Sequence, residues 1–280
     1  MIRSPLRYPG GKSRAAEKIA ALVPSFDEFR EPFVGGGSVS IYLKQKFPHR
    51  RFWINDKYTE LATFWNVLQS DSESLIEQIW SWKREFSDGK KLFYFLRENI
   101  GSFDEIRVAA AFFVFNRITF SGTTEAGGFS AQAFEKRFTE SSIERLLKMT
   151  GILDGVEITN LDYETALNAE GKEVFIFLDP PYFSATGSAL YGKNGVLHKK
   201  FDHERFAENL KSCPYRWLLT YDDSPFIREL FSFANISDWN LTYGMRNVTA
   251  DSNQKASELF ISNYDPKFAE QKQKSFAFNK

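Results

Sequence analysis

Residues 174–182 read Val-Phe-Ile-Phe-Leu-Asp-Pro-Pro-Tyr, and the fold turns on how they are read. Val174 to Leu178 is an unbroken apolar run, β-branched or aromatic at four positions of five. Such a run suits a strand buried on both faces, the usual state of a central parallel strand. It stops abruptly. Pro180 disfavours α geometry at Asp179, and two successive prolines stiffen the backbone and remove its donors. Asp179 and Tyr182 are therefore expected at the carboxyl end of a central strand, the end at which open α/β sheets bind ligands. There a carboxylate, the Pro180 carbonyl and an aromatic face make a compact site for a flat molecule bearing an amino group. Asp179 and the Pro180 carbonyl can each accept one amine hydrogen, and the Tyr182 ring can stack.

Upstream, residues 29–34 read as a short strand, followed at once by Gly35-Gly36-Gly37-Ser38. A helix over residues 38–46 and a second strand over 51–55 come next, ending at Asp56. A strand, a glycine turn, a helix and a strand with an acid 19 residues past Gly37 is the pattern of a nucleoside-type cofactor site. Glycines let the cofactor approach the backbone, and the acid binds ribose hydroxyls. Asp56 is equally placed to cap a helix over residues 57–68.

The N-terminal stretch 4–14, Ser-Pro-Leu-Arg-Tyr-Pro-Gly-Gly-Lys-Ser-Arg, is not a phosphate-binding P-loop. That motif needs a glycine five places before Gly11, where Leu6 stands, and a preceding strand. What remains is a Gly-Gly turn opening a helix over residues 13–22. Its free donors and Lys12 can meet an anion such as a carboxylate.

Between residues 69 and 149 the α/β rhythm breaks. Segments 72–86, 90–100 and 103–116 read as helices, and a further helix is expected over 141–149. Residues 117–130 are polar and punctuated by glycine, which predicts a hairpin or loop. Lys83, Arg84, Lys90, Lys91, Arg97, Arg117, Lys136 and Arg137 fall in this region. An inserted helical module so charged, beside a Ser/Thr/Gly loop, can grip phosphates and probe a groove; solvated helix faces would carry the same charges. Rhythm returns with a strand over 155–160 and a second strand-end acid, Asp162. After the central strand, residues 183–200 form a loop expected to overhang the site, ending in His198-Lys199-Lys200. A helix over 202–212, a strand over 215–221, a helix over 225–233 and two last strands over 236–243 and 258–264 follow. The last two bracket a polar loop, and 266–280 form a charged tail.

Composition narrows the rest. Thirty-six basic and thirty-six acidic residues balance, which argues against a protein held to nucleic acid by bulk charge but leaves room for a local basic face. Cys213 is the one cysteine, so no internal disulfide forms, and His49, His198 and His203 have no zinc-ligand spacing; no metal is expected. No apolar run reaches membrane-spanning length and no signal-peptide core opens the chain, so no membrane partner and a cytoplasmic, bacterial or phage-type intracellular protein are expected.

These pieces, in this order, resemble the Dam-like DNA adenine-specific methyltransferases. The family's aromatic-x-Gly-Gly-Lys segment is matched by Tyr8-Pro9-Gly10-Gly11-Lys12. Its glycine motif is matched by Glu31-Pro32-Phe33-Val34-Gly35-Gly36-Gly37-Ser38-Val39, its ribose acid by Asp56, and its catalytic motif by Asp179-Pro180-Pro181-Tyr182. The resemblance implies a Rossmann-like, S-adenosylmethionine-dependent methyltransferase sheet with an inserted, mostly helical target-recognition domain. On that reading residues 1–68 and 150–265 form the catalytic domain, 69–149 the DNA-binding insert and 266–280 a tail.

It further implies methyl transfer from S-adenosyl-L-methionine to the exocyclic amine of an adenine flipped out of double-stranded DNA. Asp179, Pro180 and Tyr182 would be catalytic. Tyr8, Lys12, Gly35, Gly37, Asp56, Asp162 and Asp179 would line the cofactor site, with Asp162 on the cofactor's adenine. Arg117, Ser121, Lys199 and Lys200 are the candidate DNA contacts. A cognate restriction endonuclease is the implied protein partner, and the sequence leaves the oligomeric state open. GATC-specific members carry an Asn-x-Pro-Phe-Gly stretch after an Asn-Arg pair; here Asn116-Arg117 lacks it, so the resemblance does not carry that target sequence. Asp at the first motif position, rather than Ser or Asn, favours adenine over cytosine, and the large insert favours a duplex over RNA or a protein amide. Those substrates, a catalytically inactive nucleotide-binding regulator and a nicotinamide-dependent oxidoreductase stay open as rival readings.

Overall fold

The computed structural model describes residues 1–8, 10–120, 128–183, 201–239 and 258–266. Ser121, Lys199, Lys200, the loop expected from residue 184 onward, the polar loop 244–257 and nearly all of the tail lie outside the described residues.

Seven strands form one sheet: β1 (Glu28–Glu31), β2 (Arg51–Asn55), β3 (Val156–Thr159), β4 (Val174–Leu178), β5 (Arg216–Asp222), β6 (Asn235–Trp239) and β7 (Glu258–Ser262). Their spatial order is β3-β2-β1-β4-β5-β7-β6, parallel from β3 to β5 with β7 antiparallel to both its neighbours. The chain moves outward from β1 through β2 to β3, then returns to the other side of β1 at β4. That reversal makes a crevice between the carboxyl ends of β1 and β4.

β4 is the central strand its apolar run predicts, with all five residues buried. Phe175 and Phe177 pack into one core, while Val174, Ile176 and Leu178 pack into the other, as the two-residue strand period requires. The first core lies beneath α1 (Ala16–Leu22), α2 (Ser38–Lys46) and α3 (Thr59–Ser70); the second lies beneath α9 (Tyr163–Asn168), α10 (His203–Ser212) and α11 (Pro225–Leu230). β1 ends at Glu31, three residues earlier than expected, where Pro32 cannot donate to the ladder.

Between α3 and β3 the chain folds as α4 (Ser72–Glu85), α5 (Gly89–Asn99), α6 (Glu105–Ile118), α7 (Ala131–Arg137) and α8 (Glu140–Leu147). Each begins on a side-chain cap, Asp71, Asp88, Asp104, Ser130 and Thr139 accepting first-turn N–H groups. α6 is buried all round from Ala109 to Ile118 and lies on α3, Phe64 stacking with Phe113 at 6.2 Å and 11°. Its side chains join the same core as the sheet face. An antiparallel bridge between Thr119 and Phe129 closes the base of the expected hairpin.

Candidate active site

A cavity of about 480 Å³ opens at the β1/β4 crevice, within the ~300–1,000 Å³ of small-molecule sites. The sequence-predicted residues Tyr8, Lys12, Gly35, Gly37, Asp56, Asp162, Asp179, Pro180 and Tyr182 all line it.

Asp179 follows β4, and its carboxylate is the hub. Lys12, 3% exposed, donates from Nζ to both of its oxygens, at 2.7 and 2.9 Å. The same ammonium donates to the Tyr182 hydroxyl at 2.9 Å and to the Gly10 carbonyl at 2.9 Å. Thus the N-terminal Gly-Gly-Lys segment has an anion partner, and it is the chain's own catalytic-motif carboxylate. The ammonium stands 5.1 Å from the centre of the Tyr182 ring. Behind that ring Tyr221 stacks at 5.7 Å and 23°, with its hydroxyl bonded to His203. Burial pushes the Tyr221 hydroxyl well above its ordinary pKa, so it stays a neutral backing.

The glycine turn is shaped by a protein side chain. Gly35 and Gly37 have φ of +46° and +63°, the left-handed region that glycine enters freely. A Cβ on Gly35 would stand 2.8 Å from the Tyr8 ring. The ring of Tyr8 therefore occupies the space above the turn, beside the cavity. Trp65 fixes the turn from below, donating to the Gly35 carbonyl at 3.1 Å.

Asp56 does not cap α3. Its Oδ2 accepts Gly35 N–H and its Oδ1 accepts Tyr58 N–H, each at 3.0 Å, which ties the end of β2 to the turn after β1. Burial raises its pKa to about 6 despite those donors. Asn55 beside it donates to the Pro32 and Leu161 carbonyls, holding three strand ends in register. Asp162 sits at the cavity rim, caps α9 through Glu164 N–H and receives Lys57 Nζ at 2.6 Å. Burial pushes its carboxyl up, but these donors pull it to a net lowered pKa.

Three features were not assigned from the sequence. Glu31, 3% exposed, accepts Ser40 N–H at 3.0 Å and the Ser40 hydroxyl. Burial, reinforced by Asp179 and Asp56, raises its pKa to about 8. Phe33 and Tyr163 stack at 5.4 Å and 29° on the cavity wall. Thr220 donates to Asp179 Oδ1 at 2.7 Å. Glu31 and Phe33 fall inside the quoted glycine motif, whereas Thr220 carries no sequence signal.

Arg117, expected on a DNA-reading loop, lies instead in the last turn of α6 and is 4% exposed. Its guanidinium donates inward to the Pro5 carbonyl and stands 5.1 Å from the Phe113 ring centre. Burial, with Arg145, Arg7 and Arg137 near, lowers its pKa to about 9. Among the described residues no helix is long and apolar enough to cross a membrane.

The sequence model of D12 class N6 adenine-specific DNA methyltransferases matches residues 8–245. The chain is similar to the Type II methyltransferase M.MjaIII of Methanocaldococcus jannaschii, 28% identical over 199 residues that cover 63% of this chain and 68% of the relative. It is similar to a DNA N-6-adenine-methyltransferase of Escherichia phage P1, 26% identical over 238 residues, 82% of this chain but only 31% of that longer relative. With the Type II methyltransferase M1.LlaDCHI of Lactococcus lactis subsp. cremoris it is 24% identical over 286 residues, 94% of this chain and 96% of the relative.

Proposed function

We propose, for a chain that belongs to the D12 class N6 adenine-specific DNA methyltransferase family, that the methyl donor is S-adenosyl-L-methionine and the acceptor an adenine flipped from duplex DNA. The observation that carries the reading is the charge of the cavity. Glu31, Asp56 and Asp179 converge at the ends of three strands, and Lys12 is the one cation buried among them. Lys57 and Arg205 sit at the rim, engaged by Asp162 and Glu164. Asp56 and Asp179 carry more negative charge than Lys12 offsets, and Glu31, protonated at neutral pH, can ionise when a cation arrives, which suits a ligand carrying both an ammonium and a sulfonium.

The cofactor, when bound, supplies an electrophilic methyl group on that sulfonium. The residues of the chain do the rest. Asp56 receives the ribose hydroxyls, Tyr8 and the Gly35–Gly37 turn border the cofactor's tail, and Phe33 and Tyr163 with Asp162 hold its adenine. Lys12 faces the cofactor carboxylate when that anion arrives, while holding Asp179. Asp179 and the Pro180 carbonyl accept the two hydrogens of the target amine. That favours a pyramidal nitrogen whose lone pair is directed at the methyl carbon, and positioning supplies much of the rate. The target nitrogen would take that methyl group and give up one proton toward Asp179. In a duplex the amine is hidden, so the base must leave the stack and rest against Tyr182.

Residues 69–149 we assign to target recognition, with phosphates gripped by exposed Lys/Arg of α4–α8 and by Ser121, Lys199 and Lys200. Arg117 acts from inside, holding the segment that carries Tyr8 and Lys12. The type II names of the relatives support pairing with a cognate restriction endonuclease. Incubating the protein with methyl-labelled S-adenosyl-L-methionine and unmethylated duplex DNA tests the reading: label must appear in N6-methyl-2′-deoxyadenosine after digestion. Label in cytosine, RNA or protein instead would overturn it.

A further inference from the structure

We propose that Thr220 is a positioning residue that fixes the plane of the Asp179 carboxylate and so places the oxygen that receives the target amine. The proposal rests on the reading of Asp179 as the acceptor of that amine.

Thr220 lies in β5, next to β4, and is fully buried. Its neighbours Leu219 and Tyr221 point into one core while Leu218 points into the other. In a strand so apolar a hydroxyl is costly unless bonded. Thr220 has one hydrogen and two candidate acceptors, Asp179 Oδ1 at 2.7 Å and the Leu178 carbonyl at 3.3 Å. The shorter, charge-assisted bond takes the hydrogen.

The consequence is an asymmetry within one carboxylate. Oδ1 receives Thr220 at 2.7 Å, Lys12 at 2.7 Å and the Tyr182 hydroxyl at 3.3 Å. Oδ2 receives Lys12 at 2.9 Å, and no other described residue. Each carboxylate oxygen has about two lone-pair sites. Oδ1 is filled by Thr220 and Lys12, and Oδ2 keeps one site open. The terminal torsion of an aspartate is soft, so nothing intrinsic to Asp179 prevents its carboxylate plane from rotating. Lys12 bonds both oxygens; Thr220 at 2.7 Å and the Tyr182 hydroxyl at 3.3 Å bond Oδ1 alone, and Thr220 makes the shorter of the two bonds. The buried Thr220 hydroxyl therefore sets the carboxylate plane and presents Oδ2 to the amine.

The test compares Thr220→Val, which keeps the shape and removes the donor, with Thr220→Ser, which keeps the donor and removes a methyl group. Single-turnover methyl transfer is measured beside affinity for S-adenosyl-L-methionine, with Asp179→Ala as control. Thr220→Val should slow transfer by roughly tenfold to a hundredfold at unchanged cofactor affinity, the scale expected for a misaligned reacting group. Thr220→Ser should transfer at nearly the wild-type rate although it is less stable. A wild-type rate in Thr220→Val, with Asp179→Ala inactive, would overturn the role of Thr220 alone. Full activity in Asp179→Ala would remove the reading on which it rests. Should Thr220→Val not fold, Thr220→Ala takes its place: slow Ala beside active Ser supports the proposal, and equal rates contradict it.

Discussion

Lys12 and Asp179 stand 167 residues apart in sequence, and their charged atoms meet at 2.7 Å in the crevice between β1 and β4. The contact joins the N-terminal turn to the end of the central strand, so two segments that line the cavity share one ion pair.

Lys12→Met removes the cation and leaves the Asp179 carboxylate against a buried wall. Breaking one partner of a buried pair costs about 3–5 kcal/mol; Asp179 keeps Thr220 and 20% exposure, so the lower end is expected. Thermal denaturation should record the loss, and cofactor affinity should fall with it. A variant as stable as the wild type would show that the pair is incidental.

Glu31 makes stability depend on pH in a definite direction. Its folded pKa is about 8 against an ordinary 4.5, so between these values the folded chain holds a proton that the unfolded chain has lost. Stability must fall as pH rises through that interval, by up to about 5 kcal/mol once the group is ionised. Glu31→Gln removes this dependence, and its stability advantage over the wild type should grow between about pH 5 and pH 9. A constant difference would mean that the carboxyl is not protonated. Because a cationic cofactor favours the carboxylate, wild-type affinity should climb across the same interval.

Gly35→Ala meets both a positive φ and the Tyr8 ring. The left-handed conformation alone costs an alanine about 1 kcal/mol, and the clash adds to it. In a Tyr8→Ala background the clash is gone, so Gly35→Ala should cost less there. Additive effects in a double-mutant cycle would separate the ring from the turn.

Arg117→Met should lower stability by about 1–3 kcal/mol through the lost bond to Pro5, while leaving the salt dependence of DNA binding as it was. Each phosphate contact contributes about 0.9 to that slope. A slope reduced by that amount, at undiminished stability, would return Arg117 to the DNA surface.

What the sequence made legible was local. Val174–Leu178, the glycine turn, Asp56 and Gly-Gly-Lys are short runs whose residue types dictate their own backbone, and all of them line or support the cavity. Their partners were not legible. Thr220 in an apolar strand reads as an ordinary β-former; its meaning depends on a carboxylate 41 residues away. Arg117 opens a polar stretch and looks exposed, but its burial depends on Pro5, 112 residues distant. Asp56 could be read as a ribose acid or as a helix cap because the two share residue types; its carboxylate instead accepts the distant Gly35 N–H and leaves the helix without a side-chain cap. The six-residue helix α9 and the seven-residue α7 are too short to show a period.

The central claim is that Asp179 acts on the amine of a flipped adenine rather than holding the site together. Asp179→Ala, loaded with S-adenosyl-L-methionine and unmethylated duplex DNA, tests it by nucleoside mass spectrometry alongside binding of both ligands. The account predicts retained DNA binding and no N6-methyl-2′-deoxyadenosine above background. N6-methyl-2′-deoxyadenosine formed at the wild-type rate by that variant would contradict it.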